Sequence, residues 1–430
     1  MTMHTESNRD VFERRESNVR SYCRAFPTMF TAARGATLFD ADGREYIDFL
    51  AGCSSLNYGH NHPDLRDALV NYLCGDGIAH GLDMHTSAKA DFLTLFERLV
   101  LKPRALDYKV MFPGPTGTNA VEAALKLARK VTGRQSVIAF TNGFHGMTLG
   151  ALAATGNAPK RAGAGTRLDG VLRAPYDGYF GADVDTAAQL DQLLCDAGSG
   201  MEPPAAILVE TVQGEGGLNA ASPQWLRAID AVARRHGALL IVDDVQAGCG
   251  RTGPFFSFET SGIEPDIVTM AKSLSGFGLP LAAVLFHPRR DVWAPGEHNG
   301  TFRGNNHAFV TGARALELFW SDNALEQLTK RRSAMLAERL SAIVTSSSHA
   351  VRVKGAGMMM GIEMSSGAFA GAVCGQCFAR GLVIETSGAD DEVVKLLCPL
   401  TIEDAHLEQG LTIIADAVLA AEADASRTAA

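Results

Sequence analysis

Short, uninterrupted apolar runs alternate with amphipathic stretches of helical period over the middle of the chain. Residues 136–141, 205–210, 238–243, 267–270 and 281–286 are apolar without polar alternation, as strands are when both faces of a sheet are covered. Residues 108–112 predict one more short strand. Between these runs, residues 117–131 carry Val121, Ala124, Leu125 and Ala128 at helical spacing, and Gly133 is a stop signal. Residues 63–72, 88–100, 147–155 and 223–236 also predict helices. Strands alternating with helices predict an α/β fold built on a mostly parallel, doubly wound sheet.

The flanks read differently. Residues 1–35 predict an N-terminal arm with one short helix near 11–23. Residues 37–50 predict a hairpin around Ala41-Asp-Gly43, since Asp-Gly favours tight turns. Residues 307–320 and 324–345 are long helical stretches leading to a smaller α+β unit. That unit has strands at 351–363 and 393–398 and a last helix at 403–421. The alanine-rich tail after Glu422 is expected to fray. The expected division is 1–65 as arm and part of the small domain, 66–320 as the large domain, and 321–430 as the C-terminal small domain.

Composition narrows the function. The 430 residues are 46% hydrophobic and 20% charged, enough for a large core. A net charge of −9 without a Lys/Arg block argues against a nucleic-acid partner. No apolar twenty-mer argues for a membrane span. The polar first ten residues lack the apolar centre of a signal peptide, so a cytoplasmic location is expected. The eight scattered cysteines read as reduced thiols. Cys374-Gly-Gln-Cys377 has redox spacing but lies on one predicted helix face. No second Cys/His pair at zinc spacing accompanies it, and no metal is expected.

Candidate chemistry sits where strands end, beyond whose carboxyl ends such sheets bind ligands. Thr116-Gly-Thr-Asn119 opens a helix; its backbone N–H groups could hold a phosphate, or it could be a simple cap. Phe144 and His145 sit in a glycine-flanked turn where a flat ring could stack on a planar cofactor. The glutamates of 210–217 could bind a cation or an amine, or could be solvated. Asp243 ends an apolar strand and, if buried, needs a cationic partner. Lys272 ends another and alone could be a surface lysine. Together, a lysine and an acid at two core strand ends suit pyridoxal phosphate, which needs a lysine for its Schiff base and an acid facing its pyridine nitrogen. Asp244 is expected as a salt-bridged neighbour and Gln246 as a contact to the ring hydroxyl. A nicotinamide site is excluded, since no Gly-x-Gly-x-x-Gly follows the first strand.

Gly59-His-Asn-His-Pro63, Thr116-Gly-Thr-Asn-Ala120, Phe144-His-Gly146, Asp243-Asp-Val-Gln246, Lys272 and Gly300-Thr-Phe-Arg-Gly304 are a specific combination. With them the chain resembles the class III (ω-) aminotransferases of fold type I, from about residue 20 to 420. The resemblance implies pyridoxal phosphate as cofactor, Lys272 as its lysine and proton shuttle, and Asp243 facing the ring nitrogen. It implies Thr116, Gly117 and Thr118 at the phosphate, Phe144 and His145 at the ring, and Gln246 at its hydroxyl. Thr301 would reach the phosphate in a partner subunit, so a homo-oligomer with shared sites is implied. Glu215 matches the family's gating glutamate. Its usual arginine partner is Lys395 here, which cannot make a planar bidentate contact. Arg303 is then a candidate for the substrate carboxylate. Glu16-Ser-Asn-Val-Arg-Ser-Tyr-Cys23, Gly81-Leu-Asp-Met84, Glu385-Thr-Ser-Gly388 and Cys398-Pro-Leu-Thr401 point within the family to L-glutamate/2-oxoglutarate paired with a small amino-aldehyde, L-aspartate 4-semialdehyde. The alternative within the family is ornithine, 4-aminobutyrate or a related amine.

Overall fold

The computed structural model describes residues 11–429, with side chains to 427. The polar start of the expected arm, residues 1–10, lies outside the described residues. The single helix expected near 11–23 is instead two short ones, 11–15 and Tyr22–Ala25. Ser17 breaks it: its hydroxyl accepts the Val19 N–H at 3.3 Å, offering the backbone an alternative to helix.

Strands β1 (Phe30–Arg34), β2 (Thr37–Asp40) and β3 (Glu45–Asp48) form an antiparallel meander. The expected hairpin is β2–β3. Asp40 Oδ1 accepts the N–H groups of Asp42 (3.0 Å) and Arg44 (2.9 Å), and Gly43 takes φ +80° to close the turn.

The large sheet has seven strands: β4 (Lys109–Met111), β5 (Val137–Phe140), β6 (Val171–Ala174), β7 (Ala206–Val209), β8 (Leu239–Asp243), β9 (Ile267–Met270) and β10 (Ala283–Phe286). Their spatial order is β4-β10-β9-β8-β7-β5-β6. Only β10 runs antiparallel to its neighbours, so β4, β5, β7, β8 and β9 end on the same edge. Alternate residues enter two apolar layers. Val137, Ala139, Leu208 and Ile241 pack with the helix Gly117–Thr132, while Ile138, Phe140, Ile207 and Val242 pack on the other face. This double coverage makes the strands continuously apolar.

Strand β6 and the helix Thr186–Cys195 were not foreseen. β6 lies at the sheet edge, where Val171 and Leu172 are half-buried and Arg173 is exposed, so it lacks the apolar run of its neighbours.

The single strand expected at 351–363 is a hairpin, β11 (Ala350–Ala356) and β12 (Met359–Met364), turning at Gly357 with φ +63°. Glycine is required there, since a Cβ would lie 2.5 Å from Thr252 Cα. Strand β13 (Leu382–Val383) runs parallel to β3 and joins the N-terminal sheet. Strands β14 (Glu385–Ser387) and β15 (Val393–Leu396) complete the sheet β11-β12-β15-β14. The last helix, Asp404–Ala429, continues past Glu422 instead of fraying there. Glu422 Oε1 accepts the Ser348 N–H at 3.1 Å, which ties the tail to the preceding loop. Among the described residues no helix is long and apolar enough to cross a membrane.

Candidate active site

A cavity of about 490 Å³ opens where β5, β7, β8 and β9 end. Thr116, Gly117, Thr118, Phe144, His145, Asp243, Gln246, Glu215 and Lys272 all line it. Thr301, Arg303 and Lys395 do not.

Lys272 follows β9 after the single residue Ala271 and takes φ +52°, a left-handed conformation costly for a residue with a side chain. The turn is held from outside. Ser273 Oγ accepts the Asn57 N–H at 3.0 Å and donates to the Ser54 carbonyl at 2.7 Å, locking Lys272 to the 51–57 loop. Burial lowers the Lys272 pKa, with Glu215 opposing, so its free amine becomes more accessible near neutrality.

Asp243 is the last residue of β8 and is buried. Its Oδ2 lies 2.7 Å from His145 Nδ1, and Oδ1 accepts from Thr269 Oγ1 at 3.0 Å. His145 therefore orients Asp243, and both it and its neighbour Phe144 line the cavity. Lys160 Nζ lies 4.4 Å from the Phe144 ring centroid. The Phe144 N–H donates to Glu210 Oε2 at 2.9 Å, and burial lifts the Glu210 carboxyl to about 7.

Among the described residues Asp244 has no ion-pair partner, contrary to the expected salt bridge. Ser257 donates to it from both hydroxyl and backbone, and burial raises its carboxyl to about 7.

The helix Gly117–Thr132 presents its N-terminus to the cavity, where the first N–H groups have no partner inside the helix. Asn119 folds back: its Oδ1 accepts from Thr116 N at 3.2 Å and Thr116 Oγ1 at 2.7 Å. Thr118 Oγ1 lies 2.7 Å from Thr148 Oγ1. Two glycines hold this end close to its neighbours. A Cβ on Gly117 would meet Val245 Cγ1 at 2.8 Å, and one on Gly146 would meet Thr118 Oγ1 at 2.2 Å.

Gln246 supplies a test of cofactor fit. Its Nε2 donates to the Cys53 carbonyl and Glu215 Oε1, each at 3.3 Å, while its buried Oε1 has no partner among the described residues. A buried acceptor without a partner, on a side chain that lines the cavity, calls for a donor. A ring hydroxyl beside Gln246, a ring nitrogen at Asp243, a phosphate at the helix N-terminus and an aldehyde at Lys272 match the donor set of pyridoxal phosphate.

Lys395 is fully enclosed and paired twice, with Glu215 Oε1 at 2.8 Å and Glu385 Oε1 at 3.0 Å. Burial works against its charge, but the two carboxylates outweigh it and hold the ammonium above the ordinary lysine range. Glu215 is lowered despite burial because Lys395 and Lys272 face it, whereas burial leaves Glu385 raised. Arg303 points elsewhere, with Nη1 3.2 Å from Asn299 Oδ1 and 3.9 Å from Asp83 Oδ2. Thr301 is exposed on the same loop.

Glu385 and Val245 escaped attention as site residues. Both glutamate and lysine at 385 and 395 interrupt apolar runs, which is the signal of a buried ion pair.

The sequence profile of the class III aminotransferases matches residues 20–418. A diaminobutyrate–2-oxoglutarate transaminase of Halalkalibacterium halodurans is 56% identical over 97% of each chain. Another, of Vibrio parahaemolyticus, is 58% identical over 95% of this chain and 97% of its own. The ornithine aminotransferase of Toxoplasma gondii superimposes with a TM-score of 0.85 at 27% identity, covering 98% of this chain and 96% of that one. The chain belongs to the class III aminotransferases, enzymes that work with pyridoxal phosphate.

Proposed function

We propose that the protein moves the amino group of L-glutamate to the terminal carbon of L-aspartate 4-semialdehyde, giving 2-oxoglutarate and L-2,4-diaminobutyrate. The observation that carries this reading is the 56–58% identity, over nearly full length, to relatives named diaminobutyrate–2-oxoglutarate transaminases. The two substrates react in turn at one site, so the cycle is ping-pong.

Bound pyridoxal phosphate supplies an electron-withdrawing ring that draws electrons from the bond broken at the substrate carbon. The Asp243 carboxylate, steadied by His145 and Thr269, would keep the ring nitrogen protonated. Lys272 Nζ takes the proton from the amine-bearing carbon and returns it in the second half. Its lowered pKa suits that task. Gln246 would hold the ring hydroxyl, the N–H groups of Gly117 and Thr118 would hold the phosphate, and Phe144 would pack against the ring. Thr301 and Arg303 would act on the site of a partner subunit, which agrees with their absence from the cavity lining of their own chain. In this reading residues 1–65 are the N-terminal arm and part of the small domain, 66–320 the large cofactor-binding domain and 321–430 the C-terminal small domain. The eight cysteines, none of them in a disulfide, suit a reducing cytoplasm.

The test is optical. L-Glutamate added to the purified holoenzyme should bleach the visible band of the bound cofactor, and L-aspartate 4-semialdehyde should restore it. Lys272→Ala run in parallel should show neither change. Restoration by the semialdehydes of ornithine or 4-aminobutyrate, and not by that of aspartate, would replace this acceptor with another.

A further inference from the structure

Lys395 answers to two acids that differ in how they are held. Glu385 and Lys395 are direct cross-strand partners in β14 and β15, so the sheet fixes their separation. Glu215 comes from a loop flanked by Gly214 and Gly216. Lys395 is the ammonium shared by the two carboxylates, and Lys272, the other cation that acts on both, is committed to the cofactor in the proposed function, so the acids carry a surplus negative charge when both are ionised. That surplus is mostly buried, and a buried charge without a partner costs several kcal/mol.

Each acid spends Oε1 on Lys395. The Oε2 atoms of Glu215 and Glu385 have no hydrogen-bond partner among the described residues. Glu215 has a further contact from Gln246 Nε2 at 3.3 Å. Glu385 has only a weak one, from Cys53 Sγ at 3.8 Å, and Cys53 Sγ in turn lies 2.9 Å from the Tyr22 hydroxyl. Lys395 has 0% of its side chain exposed and Glu385 retains 12%, and through Lys395 the acid is joined to Glu215, which lines the cavity. Burial raises the proton affinity of Glu385, with Lys395 opposing.

Diaminobutyrate carries a second ammonium at the end away from its reacting amine. 4-Aminobutyrate has the same reacting amine and no ammonium at that end. We propose that Glu385 is a specificity-determining residue, whose free oxygen receives the α-ammonium of the diamino substrate and so selects it over ω-amino acids. Lys395 is the positioning residue that holds the two acids together. This inference rests on the proposed function and adds the group that sets its substrate class.

The experiment uses holoenzyme and Glu385→Gln, a variant that leaves Lys395 paired with Glu215. Bleaching of the visible band is followed with L-2,4-diaminobutyrate, propane-1,3-diamine, 4-aminobutyrate and L-glutamate. A charge-assisted contact of this kind corresponds to about 10- to 100-fold in apparent affinity. The variant should therefore raise KM for both diamines by about that factor and leave KM for 4-aminobutyrate and L-glutamate within about twofold. Glu385→Asp, which keeps the charge on a shorter stem, should recover part of the preference. An equal rise for all four amines would reduce Glu385 to a packing role and overturn the inference, as would an unshifted preference. If the unaltered enzyme does not accept diaminobutyrate at all, the functional reading fails first and takes the inference with it.

Discussion

Asp243 and Asp244 are adjacent, yet their surroundings separate them. Asp243 faces the cavity with His145 and Thr269 behind it. Asp244 points away, into a pocket whose donors are the Ser257 hydroxyl and N–H. Burial without a cation raises the Asp244 carboxyl to about 7, against an unfolded value of about 3.9. The folded protein then keeps a proton that the unfolded chain has already lost between those limits. Stability contributed by this group is full below about pH 4 and is lost as pH rises through about 7. Glu210 acts in the same direction, with its carboxyl also at about 7. Asp244→Asn keeps an acceptor for Ser257 and removes the titration. Its stability should exceed that of the unaltered protein at pH 8 by on the order of a few kcal/mol, read as a higher apparent Tm, and the gap should shrink steadily below pH 7 and close at about pH 4. A gap independent of pH would show that Asp244 is ionised throughout. Asp243 and Lys272 were legible in the sequence because a charged residue at the end of an apolar strand has few other uses. The serine that serves Asp244 was not, since a loop excursion brings residue 257 back and leaves no periodic trace.

At the scale of elements, the N-terminus of the helix Gly117–Thr132 is set by what presses on it. Gly146 adopts φ +129°, and a Cβ there would meet Thr118 Cα at 3.0 Å and Oγ1 at 2.2 Å. Gly146→Ala must therefore push Thr118 and its N–H away from the cavity while straining its own backbone, a cost of about 1–3 kcal/mol. Because Thr118 is proposed to hold the phosphate, cofactor affinity should fall about tenfold or more, read as the Kd for pyridoxal phosphate in an absorbance titration of apoenzyme. Unchanged affinity together with a lowered Tm would mean that the helix end relaxes without touching the phosphate. The helix itself was easily read, with its apolar spacing and Gly133 at φ +69° as its stop. Strand β6 was not, because an edge strand with Arg173 on it resembles a loop in composition. The β11–β12 hairpin merged into one strand for a related reason: its turn has no Asn-Gly or Asp-Gly, only Gly357 within a run of methionines.

For the molecule as a whole, the fold completes one cavity but leaves Thr301 and Arg303 outside its lining. The loop that carries them also exposes Phe302 to 66%, with its ring 5.2 Å from that of His80. Nearby on the chain, Ile78, Leu82 and Met84 are exposed as well, and Leu82 and Met84 share a depression with Phe302. Large apolar side chains clustered on a surface mark an interface more often than free solvent. That depression also includes Pro115 and Pro280, two residues that line the Lys272 cavity. A partner seated over Phe302 would thus lie beside the active site and deliver its own Thr301 loop there. The solution mass should accordingly be at least twice 45.7 kDa by light scattering. Phe302→Asp places a charge in the centre of that patch. Burying an unpaired carboxylate costs several kcal/mol, so the variant should dissociate at micromolar concentration and lose turnover in step with its mass. Turnover that regains its value as the protein is concentrated would tie activity to assembly. A monomeric variant with full activity and unchanged cofactor affinity would mean that each chain completes its own site, and would remove Thr301 and Arg303 from the catalytic account.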